Sequence, residues 1–200
     1  MSSKNRMDRE EEIRRKRQSE VSKAGRETER WVKDLIESDE EIRTNAIVVL
    51  GNQIDNVREI PREEKEKLFV EYVINTGKEE IREKFKIDDD IVIYSKVNKK
   101  IVCVISVKKS FRERGGETTY WGLKKRLEGR DFKYICVTPD VDNELFNPKE
   151  PNKRKKWRII LTAELDGVFV IKDDIEYEEG NFKVGKKHLI NFIKELLKSP

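Results

Sequence analysis

The sequence predicts a mixed α/β (α+β) domain with a central mixed sheet flanked by helices and a helical N-terminal half. Apolar residues recur at helical spacing before about residue 80, and β-branched residues cluster in two runs over 91–107. A final amphipathic pattern, from about Lys186 to Leu197, predicts a closing helix. We expect a single domain over 1–200, with 1–80 mostly helical and 85–200 carrying the sheet and its helices.

The helical half is predicted as three successive helices. Helical periodicity runs from about Arg9 to Ser38, and Asp39 begins a second amphipathic stretch that extends to Ile54. Pro61 suits the first turn of a third helix, whose apolar residues lie between Leu68 and Ile74 and whose end is near Gly77.

The pattern changes at Asp88, where β-branched residues begin to dominate. Ile91–Tyr94 and Ile101–Val107, separated by Asn98–Lys100, predict a hairpin of two buried strands. After the break at Gly115-Gly116, a helix is predicted from Glu117 to about Leu127, with Tyr120, Leu123 and Leu127 on one face. The further predicted strands are Phe132–Val137, Trp157–Leu161 and Val168–Ile171, and a polar loop spans residues 139–156.

Charge is abundant but nearly balanced. Charged residues make up 42% of the chain, against the usual quarter, and the Lys and Glu excess favours a thermophilic source. The net charge of +4 is too small to indicate nucleic-acid binding by itself. Individual residues must therefore carry any argument about function.

Several classes of function are excluded by what the sequence lacks. His188 is the one histidine, which excludes paired-histidine nucleases, zinc hydrolases and His-based triads. Cys103 and Cys136 lie in apolar runs and are predicted to be buried reduced thiols. No apolar stretch approaches the roughly 20 residues of a membrane span, and the N-terminus does not resemble a signal peptide. We therefore expect a cytoplasmic protein with no membrane partner.

A small set of polar residues stands at the ends of the two predicted hairpin strands. Asp90 directly precedes the first strand, and Ser106 and Lys108 end the second. Because side chains alternate along a strand, Ser106 and Lys108 project from the same face. A lysine at the end of so apolar a run needs an anionic partner, which can be a carboxylate of the adjacent strand or a phosphate. An ordinary turn aspartate and strand-end lysine give the same spacing.

The pattern Asp90, spacer, Ser106-Val107-Lys108 resembles the signature of the PD-(D/E)xK nuclease superfamily, over roughly residues 20–140. Ser106 stands where most members have Asp or Glu. One subgroup of type II restriction endonucleases has Ser there and takes its second carboxylate from the following helix, where this chain has Glu117. The resemblance implies a restriction-endonuclease-like fold and a Mg²⁺-dependent, type II site-specific deoxyribonuclease that hydrolyses double-stranded DNA.

The resemblance also implies roles for the residues of the site. Asp90 and Glu117 would bind Mg²⁺, Lys108 would position or activate the attacking water, and Ser106 would line the site. Members often carry a glutamate near the metal on the first helix, and Glu29 is the candidate, with Glu27 behind it. A plain exposed helix glutamate explains these two positions equally well. Asp88 and Asp89 are interpreted as turn acids.

The segment after Lys108 carries the predicted DNA contacts. In the resembled subgroup an Arg-(Asp/Glu)-Arg element recognises the CC and GG of the site, and this chain has Arg112-Glu113-Arg114, preceded by Lys109. Arginine can bond guanine bidentately and glutamate can accept from cytosine N4. We expect a palindromic target with a CCGG-type core, a homodimer that mirrors it, and a cognate DNA methyltransferase in the same cell. A solvated charge run is the alternative for this segment. The basic cluster Lys153–Lys156 is a candidate for contacts to DNA phosphates, and a plain solvated loop explains it equally well.

Two other functions remain open at this point. A structure-selective or repair nuclease of the same superfamily would share the catalytic residues but would not depend on Arg112-Glu113-Arg114. A non-catalytic DNA-binding module would show no hydrolysis with Mg²⁺.

Overall fold

The computed structural model describes Glu20, residues 22–111 and residues 115–199. Predictions made on residues 1–19, Val21 and 112–114 lie outside the described residues. The helices are α1 (22–37), α2 (Glu40–Asn45), α3 (Arg62–Glu66), α4 (Gly115–Leu127), α5 (Lys156–Glu164) and α6 (Lys186–Lys198), with a 3₁₀ turn over Gly51–Asn56. The strands are β1 (Ala46–Leu50), β2 (Phe69–Asn75), β3 (Glu80–Lys86), β4 (Ile91–Ser95), β5 (Lys100–Val107), β6 (Lys133–Thr138), β7 (Gly167–Val170), β8 (Tyr177–Glu179) and β9 (Phe182–Val184).

Seven strands form a mixed central sheet in the order β1-β4-β5-β6-β7-β9-β8. The middle of the sheet is parallel from β5 through β6 and β7 to β9, whereas β1 and β4 on one side and β8 on the other pair antiparallel. Strands β2 and β3 form a separate two-stranded antiparallel sheet. The predicted mixed sheet flanked by helices is therefore confirmed.

Each face of the central sheet is covered by its own hydrophobic core. On one face, Val32 and Ile36 of α1 pack with Leu189 and Ile193 of α6. On the other face, Leu161 of α5 belongs to a second core, which also holds residues of the small sheet and of the loops. Burial on both faces explains why β4 and β5 consist mostly of apolar residues instead of alternating apolar and polar ones.

A bulge in β5 sets which side chains face which layer. Ile93 pairs with Cys103 and Tyr94 with Ile101, so Val102 is the extra residue of the strand. Val102 and Cys103 consequently lie in the same core, and strict alternation resumes only afterwards. Beyond the bulge, Val104 points to the α5 layer and Val107 to the α1 layer.

Three predicted elements differ from the structure. The helix predicted around Leu68–Ile74 is strand β2, because its β-branched and aromatic residues pair along their whole length with β3. The strand predicted at Trp157–Leu161 lies in helix α5, whose buried residues Arg158 and Leu161 are three apart, as one face of a helix requires. The stretch predicted as helical from Asp39 divides into α2 and strand β1. The N-terminal part is therefore less helical than predicted.

Helix α4 packs through the face opposite to the one that its apolar residues suggest. Tyr120, Leu123 and Leu127 are 45%, 38% and 83% exposed. The buried residues are Gly115, Thr118, Gly122 and Lys125. A Cβ at Gly122 would lie 2.5 Å from Leu165 Cδ2, so close packing rather than apolar area fixes the orientation of this helix. No helix in the described part of the chain combines the length and apolarity needed to cross a membrane.

Candidate active site

The candidate site lies where β4 begins and β5 ends. The antiparallel register places Ile91 opposite Ile105, which brings the residue before β4 beside the last residue of β5. Accordingly, the Val107 amide donates a hydrogen bond of 2.6 Å to Asp90 Oδ2. The predicted hairpin is thus the element that brings Asp90 to Lys108.

Lys108 lies between two carboxylates. Its ammonium donates to Asp88 Oδ2 at 2.7 Å and to Asp90 Oδ2 at 3.4 Å, and its side chain is buried. Ser106 projects from the same face, as predicted, and its hydroxyl donates to the same Asp88 oxygen at 3.0 Å. The Ser106 hydroxyl also lies 3.1 Å from Thr118 Oγ1, so the first turn of α4 borders the site.

The charged groups of this cluster shift one another's pKa values. Burial opposes the charge of Lys108, but Asp88 and Asp90 outweigh it and raise the pKa of the ammonium above its usual value. Burial raises the pKa of Asp90 to about 6, although Lys108 acts in the opposite direction. The burial of Glu29 on α1 likewise raises the pKa of that carboxyl, with Lys108 opposing and Asp88 adding to the rise. The cluster therefore holds more negative charge than one lysine neutralises.

Asp88 is the site residue that the sequence interpretation missed. It was interpreted as a turn acid, yet its carboxylate binds both Ser106 and Lys108. The signal was available, because the alternation of side chains continues from the strand into the residues before it, which puts Asp88 and Asp90 on one side. Asp89 points elsewhere, with its Oδ2 2.9 Å from the Lys86 ammonium.

A close backbone contact holds the acidic turn in place. The Gly51 amide donates to the Asp90 carbonyl at 3.0 Å, and the Lys86 ammonium donates to the Gly51 carbonyl at 2.7 Å. A Cβ at Gly51 would lie 1.5 Å from the Asp89 carbonyl oxygen, so only glycine fits here. The hydroxyl of Tyr134 donates to the Asp88 carbonyl at 2.9 Å from the opposite side. Contacts from the 3₁₀ turn, β3 and β6 thereby fix the turn that contains Asp88–Asp90.

The other predicted site residues stand at different distances from this cluster. Glu29 faces it across a cavity. Glu117 lies in the first turn of α4, next to Thr118, and is exposed; no hydrogen bond or ion pair between described residues joins it to Asp90 or Lys108. Lys109 is exposed beside the site. The predicted base-contacting residues Arg112, Glu113 and Arg114 lie outside the described residues.

A cavity of about 250 Å³ opens beside the carboxylates. Its lining residues are Glu29, Asn52, Lys86, Ile87, Asp88, Asp89 and Asp90. Within the described part of the chain, no three His, Cys, Asp or Glu side chains are arranged to hold a metal ion. Two carboxylates with room for water and a phosphate nevertheless fit Mg²⁺, which commonly takes one or two protein carboxylates and completes its shell with other oxygens.

The basic cluster Lys153–Lys156 is largely committed to partners inside the protein. Lys153 pairs with Glu150, Arg154 with Glu179 and Lys155 with Glu144, and Lys156 lies over the Trp157 ring. These contacts favour the interpretation of this segment as a structural charge network over that of a phosphate-binding loop.

Comparisons with known proteins show which family the chain resembles. The family model described as BsaWI restriction endonuclease type 2 matches residues 64–199, a range that contains Asp88, Asp90 and Lys108. The putative type II restriction enzyme MjaVIP of Methanocaldococcus jannaschii is 37% identical over 161 residues, covering 78% of this chain and 69% of that protein. The probable type II restriction enzyme HpyAORF263P of Helicobacter pylori is 42% identical over 66 residues, covering 31% of this chain and 34% of that protein.

A solved structure shares the fold. The crystal structure of the pre-specific restriction endonuclease BsaWI–DNA complex aligns with a TM-score of 0.60 and 16% identity, over 96% of this chain and 68% of that chain. At this identity the likeness concerns the fold alone, and it agrees with a central mixed sheet flanked by helices.

Proposed function

The chain belongs to the BsaWI type 2 restriction endonuclease family, and from that membership and the geometry of the site we propose that it is a Mg²⁺-dependent endonuclease that cuts double-stranded DNA at a palindromic site with a CCGG-type core. The observation that carries the proposal is the position of Lys108 between the carboxylates of Asp88 and Asp90, beside an open cavity. Carboxylates and a lysine at the same point are what phosphodiester hydrolysis requires.

The carboxylates have the role of metal ligands in this proposal. Asp90 and Asp88 supply oxygens from the β4 side, Glu117 supplies one from the first turn of α4, and Glu29 adds negative charge from α1. When bound there, Mg²⁺ neutralises charge developing on the phosphate and lowers the pKa of a bound water. The raised pKa of Asp90 fits this role, since a buried carboxylate in excess over its cations favours a divalent ion.

Lys108 acts as a charged hydrogen-bond donor and not as a general base. Its raised pKa keeps the ammonium charged at neutral pH in the metal-free protein. A charged ammonium cannot accept a proton from water, but it can orient the attacking water and stabilise the anionic phosphate oxygens. Ser106 holds the Asp88 carboxylate through its hydroxyl and lines the site without contributing a charge.

Sequence recognition is assigned to the segment between Phe111 and Gly115. Arg112, Glu113 and Arg114 together supply donors for guanine and an acceptor for cytosine N4. Lys109, which is exposed, contacts a backbone phosphate. Because Arg112 is four residues after Lys108 in the sequence, recognition and cutting would act on neighbouring positions of the same duplex.

A homodimer follows from the palindromic target, and the exposed face of α4 fits the second copy. The exposed Tyr120, Leu123 and Leu127 lie on α4, which follows in sequence the segment assigned to recognition. An exposed apolar face of this kind is typical of a surface that a partner covers. A restriction enzyme also implies a cognate methyltransferase and action in the cytoplasm, where the DNA lies.

The test is a pair of matched plasmids, one with several CCGG sequences and one from which each has been removed, incubated with the protein and Mg²⁺. The proposal expects discrete linear fragments with 5′-phosphate ends from the first plasmid and none from the second. Equal cutting of both plasmids would contradict the specificity and favour a nuclease that recognises DNA shape. Binding to both without hydrolysis would contradict the enzymatic activity.

A further inference from the structure

We propose that Thr118 on α4 is a positioning residue that fixes the orientation of the Asp88 carboxylate through the Ser106 hydroxyl. The inference rests on the proposed function, because it concerns the carboxylates to which Mg²⁺ binding is assigned. Thr118 touches neither the metal nor the DNA in this account. It acts by holding one oxygen of Asp88 so that the other is presented to the cation.

The first observation is a chain of two hydroxyls that runs from α4 to Asp88. The Ser106 hydroxyl donates to Asp88 Oδ2 at 3.0 Å and lies 3.1 Å from Thr118 Oγ1. A hydroxyl has one hydrogen to donate, and Ser106 gives it to the carboxylate. The hydrogen bond between the two hydroxyls therefore has Thr118 as its donor, and the chain has a single direction from Thr118 to Asp88.

The second observation is that this chain of hydroxyls is enclosed. Ser106 and Thr118 are both fully buried, so bulk solvent offers neither hydroxyl a substitute partner. Hydrogen bonds in series polarise one another in such surroundings, and a buried hydroxyl that loses its partner is costly. The geometry between Thr118 and Ser106 is therefore held, and the loss of either hydroxyl affects the other.

The third observation is the distribution of donors over the Asp88 carboxylate. Lys108 and Ser106 both donate to Oδ2, at 2.7 Å and 3.0 Å. No hydrogen bond or ion pair between described residues reaches Oδ1, and Asp88 lines the cavity. The second torsion of an aspartate side chain is only weakly restricted by itself, so the two donors at one oxygen fix the plane of the carboxylate. This arrangement leaves Oδ1 for a cation.

Close packing fixes α4 relative to the same aspartate. A Cβ at Gly122 of this helix would lie 2.5 Å from Leu165 Cδ2 and 3.6 Å from Tyr134 Cδ1. The Tyr134 hydroxyl in turn donates to the Asp88 carbonyl at 2.9 Å. The helix thus packs on a residue that also holds the Asp88 backbone, so the chain of hydroxyls begins from a defined position.

Substitutions at two neighbouring threonines separate the hydroxyl of Thr118 from its packing. Thr118→Val removes the hydroxyl and keeps the branched shape, whereas Thr118→Ser keeps the hydroxyl and removes the methyl group. Thr119→Val is the matched control, because the Thr119 hydroxyl donates at 2.8 Å to the Gly115 carbonyl within the helix. If Thr118→Val does not fold, Thr118→Ala removes the same hydroxyl with a residue that suits a helix. The measurements are the Kd for Mg²⁺ of the protein without DNA, from titration calorimetry, and kcat and KM for a plasmid with CCGG sites.

A positioning role predicts that Thr118→Val raises the Kd for Mg²⁺ and lowers kcat, each on the order of 10-fold to 100-fold, as the loss of a residue that orients a metal ligand does. KM for DNA should stay near that of the wild type. Thr118→Ser and Thr119→Val should both keep the wild-type Kd and kcat. A wild-type Kd in Thr118→Val, a Thr118→Ser variant as impaired as Thr118→Val, or equal losses in Thr119→Val would each overturn the inference.

The proposed function can fail separately. If the wild-type protein binds Mg²⁺ but cuts no DNA, the proposed function fails, and the Kd of Thr118→Val beside that of Thr119→Val still decides the role of Thr118. Adding Thr118→Val to Ser106→Ala should raise the Kd no further than Ser106→Ala alone, because Thr118 acts through Ser106. Additive losses in the double variant, or a wild type that binds no Mg²⁺, would overturn the inference.

Discussion

The Lys108 ammonium lies closer to Asp88, at 2.7 Å, than to Asp90, at 3.4 Å. Both carboxylates share this cation, and the two aspartates are two residues apart on one side of the chain that enters β4. The pair therefore behaves as a single anionic site with one internal counter-ion, which a divalent cation can complete.

Asp88→Asn is expected to reduce cleavage strongly and to weaken Mg²⁺ binding, because it removes a carboxylate oxygen that now contacts Lys108 and Ser106. A loss of about 100-fold in kcat is the scale for removing one such group. The control is Asp89→Asn, whose carboxylate pairs with Lys86 instead. Cleavage rates and the melting-temperature increase on adding Mg²⁺ report the result. Equal losses in both variants would refute the distinct role of Asp88.

The burial of Asp90 predicts a dependence of stability on pH in the metal-free protein. Its pKa is raised to about 6, above the roughly 3.9 of an unfolded chain. The native state then binds this proton more tightly, so the stability that Asp90 contributes falls as pH rises from about 4 through about 6. Asp90→Asn should therefore stabilise the protein at about pH 7.5, on the order of 2 kcal/mol, and have little effect near pH 4.

Urea unfolding with a chelator, at both pH values and with the wild type beside the variant, measures this difference. If Asp90→Asn changed the free energy of unfolding by the same amount at both pH values, burial would not be what raises the pKa of Asp90. A stabilisation by Asp90→Asn that is larger near pH 4 than at about pH 7.5 would contradict the prediction.

Glu117→Gln and Glu29→Gln distinguish a ligand from a neighbouring charge. Glu117 is proposed as a metal ligand, so its substitution should lower kcat about 100-fold and raise the Mg²⁺ concentration needed for half-maximal activity. Glu29 acts through its charge across the cavity, so Glu29→Gln should shift the Mg²⁺ dependence with a smaller loss of kcat. Mg²⁺ titrations of the cleavage rate measure both. A wild-type profile for Glu117→Gln would leave Asp88 and Asp90 as the ligands and remove Glu117 from the account.

The exposed face of α4 predicts the oligomeric state. Leu127→Arg places a charge at the residue of this face that is 83% exposed, where it should cost the monomer little but weaken a dimer. Val97→Arg is the control, since Val97 is also exposed, at 61%, in the turn between β4 and β5. Sedimentation should detect a monomer only for Leu127→Arg. A dimer that survives Leu127→Arg would place the second copy elsewhere.

The sequence predicts the part of the fold that brings the candidate site together. β-branched runs marked β4 and β5, and alternation correctly placed Ser106 and Lys108 on one face, because both properties are local. Asp88 lies two residues before Asp90 and outside the strand, and only the alternation continued beyond β4 places its carboxylate beside that of Asp90. The sequence therefore identified the hairpin and its lysine but only one of the two carboxylates that contact it.

The errors arose where tertiary packing overrides local pattern. Residues Leu68–Ile74 satisfy helical spacing, but pairing with β3 makes most of them a strand. Ile159 and Ile160 suggest a strand, but Arg158 and Leu161 are buried together on a helix. On α4, tight packing at Gly122 turns the apolar residues outward. No periodicity in a single sequence reveals which of these contacts forms.

The central claim is that Lys108 and its two carboxylates cut DNA at defined positions. Digestion of mapped phage DNA with Mg²⁺ tests it directly, comparing the wild type with Lys108→Ala and with Lys125→Ala, an equally buried lysine that pairs with Asp166. The account predicts discrete fragments from the wild type and from Lys125→Ala, and a loss of about 100-fold to 10,000-fold in Lys108→Ala. Fragments that persist undiminished in Lys108→Ala would contradict it, and so would the absence of discrete fragments with the wild type.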